Sequence, residues 1–138
     1  MRSLVALSCV LAATLFGTAC DNGPAPTTPT PGTPVTDTFT GTLTLNGSQT
    51  HPFATTAAGD VTATITAITP SDKSIGFQLG TWDTVTCRAV VSNDLATINS
   101  VLSGQTQTGA SLCLKVHDPN GALTDVSVAY TITVAHQP

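Results

Sequence analysis

The side chains of this chain that could do chemistry are few and scattered. Beyond residue 19 the histidines are His51, His117 and His136. No two of them have the four-residue separation that puts two zinc ligands on one helical face. All eight acidic residues are Asp. Asp60, Asp72, Asp83 and Asp94 recur at intervals of 12, 11 and 11 residues, a rhythm that suits turns in which Asp accepts from nearby backbone better than it suits two carboxyls across a cleft. The chain has no Gly-x-Ser-x-Gly elbow, phosphate loop or dinucleotide loop, so no activated nucleophile is expected. Calcium would use Asp94 with Asn93, or Asp118 with Asn120. Neither pair lies in an Asp-x-Asp-x-Asp-Gly loop, which favours turn roles, and no cofactor is expected. Sugar binding needs exposed rings. Phe39, Phe53 and Phe77 fit inward positions, which leaves Trp82, after Gly80-Thr81 at a strand end, as the candidate glycan contact. The expectation is a non-enzymatic module that binds a protein, with glycan binding through Trp82 as the alternative.

The four cysteines divide into two kinds. Cys9 lies in the apolar run Leu4 to Phe16, which follows Arg2 and precedes the small residues Gly17, Thr18 and Ala19. That layout predicts a secretory signal over residues 1–19. Leu4 to Ala19 is shorter than the roughly 20 residues a membrane-crossing helix needs. Cleavage before Cys20 leaves Cys20, Cys87 and Cys113, an odd number. A cysteine directly after such a cut resembles a bacterial lipobox, although Gly17 stands where an aliphatic residue is usual. Lipidation of Cys20 would occupy the spare thiol while Cys87 and Cys113 pair. Two or more acyl tails make anchoring stable where one is marginal, so the expected location is the bacterial cell envelope, on a membrane and facing the periplasm or the exterior.

Residues 20–37 then read as a spacer. Pro24, Pro26, Pro29, Pro31 and Pro34 interrupt a Thr-rich stretch whose largest apolar residue is Val35, a composition that cannot build a core. Such a stretch favours polyproline II, at roughly 3.1 Å per residue. The basic residues Arg2, Lys73, Arg88 and Lys115 are spread along the chain. Nucleic acid, which requires clustered cations, is therefore not an expected partner.

What must position any site is a β domain over residues 38–136. The chain carries 27 threonines, a β-branched bias that suits strands. Phe39, Gly41, Leu43 and Leu45 alternate with threonines; so do Val61, Ala63, Ile65 and Ala67. Val126, Val128, Tyr130, Ile132 and Val134 repeat the period of two, which puts one set inward. Shorter runs at 49–55, 75–82, 84–91, 97–102 and 111–117 bring the count to eight. Turn signals stand at Asn46-Gly47, Ala58-Gly59-Asp60, Pro70-Ser71-Asp72, Ser92-Asn93-Asp94, Ser103-Gly104 and Asp118-Pro119-Asn120-Gly121. The fold class expected is all-β, an antiparallel β-sandwich or jelly roll of about eight strands. A Cys87–Cys113 bridge would close a loop of about 27 residues, for which chain entropy gives roughly 3.5 kcal/mol. With Leu112, Leu114 and Val116 inward, Cys113 falls on the opposite face. The bridge therefore needs either a bulge or a place on the outer face or edge of a sheet.

Several segments in this order carry a family resemblance: Phe39-Thr-Gly-Thr-Leu43, Thr50-His-Pro-Phe53, Gly59-Asp-Val-Thr-Ala-Thr-Ile65, Gly109 through Asp118, and Tyr130-Thr-Ile-Thr-Val134. Over residues 37–136 the chain resembles the bacterial pre-peptidase C-terminal domain, with Leu112 and His117 standing where aromatics are often found. The resemblance implies a β-sandwich without catalysis of its own. Members usually accompany secreted peptidases; here it implies a stand-alone copy on a lipid anchor.

Overall fold

The computed structural model describes residues 32–124 and 127–138. The expected signal at 1–19, Cys20 and most of the spacer lie outside these residues, as does Val126. Eight strands form: β1 (Val35–Leu43), β2 (Ser48–Thr55), β3 (Gly59–Thr69), β4 (Ile75–Trp82), β5 (Cys87–Ala96), β6 (Val101–Thr106), β7 (Ala110–His117) and β8 (Val128–His136). A 3-10 turn, Pro119–Gly121, lies between β7 and β8.

The strands build two four-stranded sheets, ordered β1-β8-β3-β6 and β2-β7-β4-β5, with every pairing antiparallel. The pairs β1 with β8, β2 with β7, β3 with β6 and β4 with β5 are those of one long hairpin doubled at β4–β5. Wrapping that hairpin into two layers gives the jelly-roll arrangement. The layers meet through the inward residues of the alternating pattern. Val61, Ala63, Ile65, Phe77, Leu114, Val116, Val128, Ile132 and Val134 are all almost wholly removed from solvent. Each large apolar side chain among them contributes about 1.5–3 kcal/mol relative to exposure.

Four local readings of the sequence are corrected. In β3 the register slips between Ile65 and Ala67 against β8. The extra residue, Thr66, inverts the facing of the rest of the strand, so Ile68 is buried and Ala67 faces out. Ser92-Asn93-Asp94 is not a turn between strands but part of β5. There the register skips from Asn93 to Ala96 while β4 moves from Phe77 to Ile75, and the Leu95 amide donates to Asn93 Oδ1 at 3.0 Å. The turn chemistry is spent inside a bulge. Ser103-Gly104 lies within β6, and the turn falls earlier, where the Ser100 amide donates to the Thr97 carbonyl and Asn99 takes φ 70°. Finally, β1 begins at Val35, inside the expected spacer, because Val35 pairs with His136 and Asp37 with Val134. At its other end β1 stops at Leu43, and Leu45 is exposed.

Candidate functional site

Strand β4 buries Ile75, Phe77 and Leu79 and so presents Gly76, Gln78 and Gly80 on the opposite, outer face. It is flanked by β7 on one side and β5 on the other. Gly80 pairs with Cys113 and Ala89, and Gly76 pairs with His117. A Cβ at Gly80 would fall on the Arg88 carbonyl, and one at Gly76 on the His117 ring. These two glycines form a trough across which β7 reaches β5. Cys113 and Cys87 are disulfide-bonded with their Cα atoms 5.7 Å apart, whereas strands two apart in a flat sheet lie about 9.5 Å apart. The start of β5 therefore curls over the outer face of β4, with a bulge between Leu79 and Gly80 that leaves Val90 as the extra residue. This settles the side of the bridge. Cys113 is on the outer face as its parity requires, yet it is fully buried because β5 covers it.

The same trough carries a side-chain contact, His117 Nε2 to Asp94 Oδ1 at 3.2 Å. Asp94 is thus a partner of His117 and is not grouped with Asp118. Asp118 is itself buried, and both its oxygens are used: Oδ2 accepts from the Asn46 amide at 2.9 Å and Oδ1 from the Leu123 amide at 3.1 Å. Its own amide donates to the Gly47 carbonyl at 2.9 Å. Asp118 therefore clamps the β1–β2 turn onto the β7–β8 connection. Asn120 takes φ 58° in the 3-10 turn. Among the described residues no group of three or more His, Cys, Asp or Glu is placed to hold a metal ion.

Trp82 closes β4 opposite Cys87 and is half-buried. None of the ring contacts among the described residues includes it. The rings gather instead along the seam where the edge strands β1 and β2 face each other. His51 stacks on Phe39 with centroids 5.1 Å apart, Phe39 meets Phe53 at 6.0 Å, Phe53 meets His136 at 5.4 Å, and His51 meets Tyr130 edge-on at 5.9 Å. The Tyr130 hydroxyl donates to Gln49 Oε1 at 2.8 Å. Its oxygen therefore accepts from His51 Nε2 at 2.7 Å, and Gln49 Nε2 donates onward to the Thr42 carbonyl. Burial holds the His51 pKa below its ordinary value and pushes Tyr130 up to about 12. His136 is 4% exposed, with Nε2 3.1 Å from Asp37 Oδ2 and Nδ1 against the Gln137 carbonyl. This chain of rings seals one side of the sandwich.

The other side is open and apolar. Strand β5 ends its sheet, so among the described residues no strand lies beside one edge of its backbone. Val85, Val90 and Leu95 in and just before β5 are 79%, 76% and 77% exposed. The hairpin that carries Val85 is held by Asp83. Its Oδ1 accepts from the Val85 and Thr86 amides at 3.0 and 2.6 Å, and its Oδ2 accepts from the Thr86 hydroxyl at 2.7 Å. These bonds, that of the Thr86 hydroxyl foremost, hold the Asp83 pKa well below the usual carboxylate range. The sequence pattern did not point to this edge. The doublet Val90-Val91, which breaks strict alternation, was the available signal. A scan against protein-family models gives no match, and neither does a search of curated proteins.

Proposed function

We propose that this chain is a non-enzymatic module, lipid-anchored in the bacterial cell envelope through Cys20, that takes a protein partner along the edge strand β5. The observation that carries the reading is the run of exposed Val85, Val90 and Leu95 on an edge that, among the described residues, has no strand beside it. Such an edge is a template for strand addition: free backbone groups supply affinity and apolar side chains supply contact. Gly32, the first described residue, lies against Pro138 and leads into β1, the edge strand of the other sheet. The resemblance to the pre-peptidase C-terminal domain supports the same reading, an accessory to secreted enzymes.

Two experiments test it. Intact mass of membrane-extracted protein should carry acyl groups on Cys20, and Cys20→Ser should release the chain from the membrane fraction; retention would remove the anchor. In-envelope crosslinking should give a partner adduct that Val85→Lys and Leu95→Lys abolish without changing thermal stability, because an edge lysine opposes pairing. An adduct indifferent to both changes refutes the edge, and turnover of a peptide or glycan by the pure protein refutes the non-enzymatic role. On a glycan array, binding that Trp82→Ala removes would put sugar recognition in place of protein recognition.

A further inference from the structure

A pocket of about 260 Å³, open to solvent at its mouth, lies between the layers on the side of β5 and β6, opposite the seam that the rings close. Its walls are the side chains of Val61, Leu79, Val91 and Leu112, while Thr81 and Gln107 stand among the lining residues with a hydroxyl and a carboxamide. No lining residue is charged and none is aromatic. Gly104 opens this space. It sits on β6 opposite Val61, two residues on from the buried Leu102, so its missing side chain would point inward. Nothing in the backbone asks for glycine there, since its φ is outside the positive range. Packing does not ask for it either, because the nearest atom to an added Cβ is Leu79 Cδ2 at 3.9 Å. This differs from Gly76 and Gly80, where a Cβ would collide with its neighbours. A glycine inside a strand weakens it and often marks a place where something else approaches.

We propose that the cavity is a binding site for an uncharged aliphatic chain bearing a hydroxyl or amide head, and that Gly104 is the residue that keeps it open. An enclosed cavity of 150 Å³ takes benzene, so by volume this open pocket suits a chain on the order of eight to ten carbons. Aliphatic walls bury the tail. With no cation or anion in the lining, a charged head would lose its water without gaining a partner. The site meets the β5 edge at Val90, which is among its lining residues, but not at Val85 or Leu95, and it does not depend on the anchor.

The test uses the full chain carrying Cys20→Ser, isotope-labelled and titrated with 1-octanol and, separately, with octanoate at neutral pH. Octanol should produce saturable amide shifts at Val61, Leu79, Gly104 and Leu112, and octanoate should not. Gly104→Val should abolish the shifts and raise Tm by about 4–8 °C, because the valine fills the space the ligand needs. No saturable shift up to the solubility of octanol overturns the site. Equal binding of octanoate overturns the neutral head, and undiminished octanol binding by Gly104→Val overturns the role of Gly104. A Gly104→Val chain that does not fold refutes the claim that the space is free, whereas Gly104→Ala should fold and shift Tm in the same direction by less.

Discussion

Cys113 is bonded to Cys87 across an intervening strand, over the bare backbone of Gly80. The bridge pins an edge strand whose one paired neighbour among the described strands is β4. Replacing both cysteines by alanine should lower unfolding free energy by about 3.5 kcal/mol, the chain-entropy figure for this loop. The His117–Asp94 pair crosses the same strand, but Asp94 is 60% exposed, and an exposed pair is worth about 0.2–1 kcal/mol. Denaturant unfolding of Cys87→Ala/Cys113→Ala beside Asp94→Ala should reproduce that ranking.

The trough predicts opposite signs for two glycines in facing sheets. Gly80→Ala drives a methyl into the Arg88 carbonyl, which belongs to backbone and cannot swing aside. It should cost about 3 kcal/mol, the upper range for overpacking, and should slow formation of the Cys87–Cys113 bond during refolding. Gly104→Ala meets only ordinary contact and should stabilise by about 0.5–1 kcal/mol. Thermal melts of the two variants under one set of conditions check both.

Asp118 holds two backbone amides from segments far apart in sequence. In Asp118→Asn one of the two oxygens becomes an NH₂ group, a donor facing a donor. The expected loss is about 1–3 kcal/mol. Hydrogen exchange should speed at the Asn46 and Leu123 amides first. Equal protection of both amides in the variant would show that the clamp is not needed.

The ring seam predicts how stability changes with pH. The folded pKa of His51 lies below the unfolded value of 6.5 because burial disfavours its charged form, so the unfolded chain binds the proton more readily. The contribution of His51 is therefore present above pH 6.5 and is lost as pH falls through the folded pKa. Tyr130, raised from 10.0 to about 12, adds stability that is present below pH 10 and lost as pH rises toward 12. Chemical unfolding from pH 8 to 5 should show a smaller acid-side decline in His51→Gln, which can still donate to the Tyr130 hydroxyl but does not titrate.

Asp83 gives a second acid-side contribution of the same sign. Its carboxylate is favoured by three bonds in the β4–β5 hairpin, so what it adds is present above pH 3.8 and disappears in stronger acid. Asp83→Asn should loosen the hairpin, read as faster exchange at the Val85 and Thr86 amides near pH 6, with little effect on the ring seam.

The two layers were legible in the chain's local pattern. Threonine alternating with apolar residues fixes which side of β1, β8 and the first part of β3 faces the core, since a strand has one period and burial selects one face. Asp118 to Gly121 and Asn46-Gly47 mark turns by their residue types alone, whereas the bonds by which Asp118 ties the two turns together are tertiary. Parity alone placed Cys113 away from the core side. Where the alternation breaks, and which residues lie across each break, depends on contacts between distant strands. Thr66, Val90 and the Asn93–Leu95 stretch become bulges because of the strands they face, so no local pattern separates them from turns or regular strand. His51 reads as a polar edge residue until Tyr130, 79 residues away, supplies its partner. His136 reads as a tail residue until Asp37 and Phe53 enclose it. Gly80 and Gly104 look alike in the sequence. Their difference is a neighbouring backbone in one case and empty space in the other, a matter of packing between strands far apart in the chain.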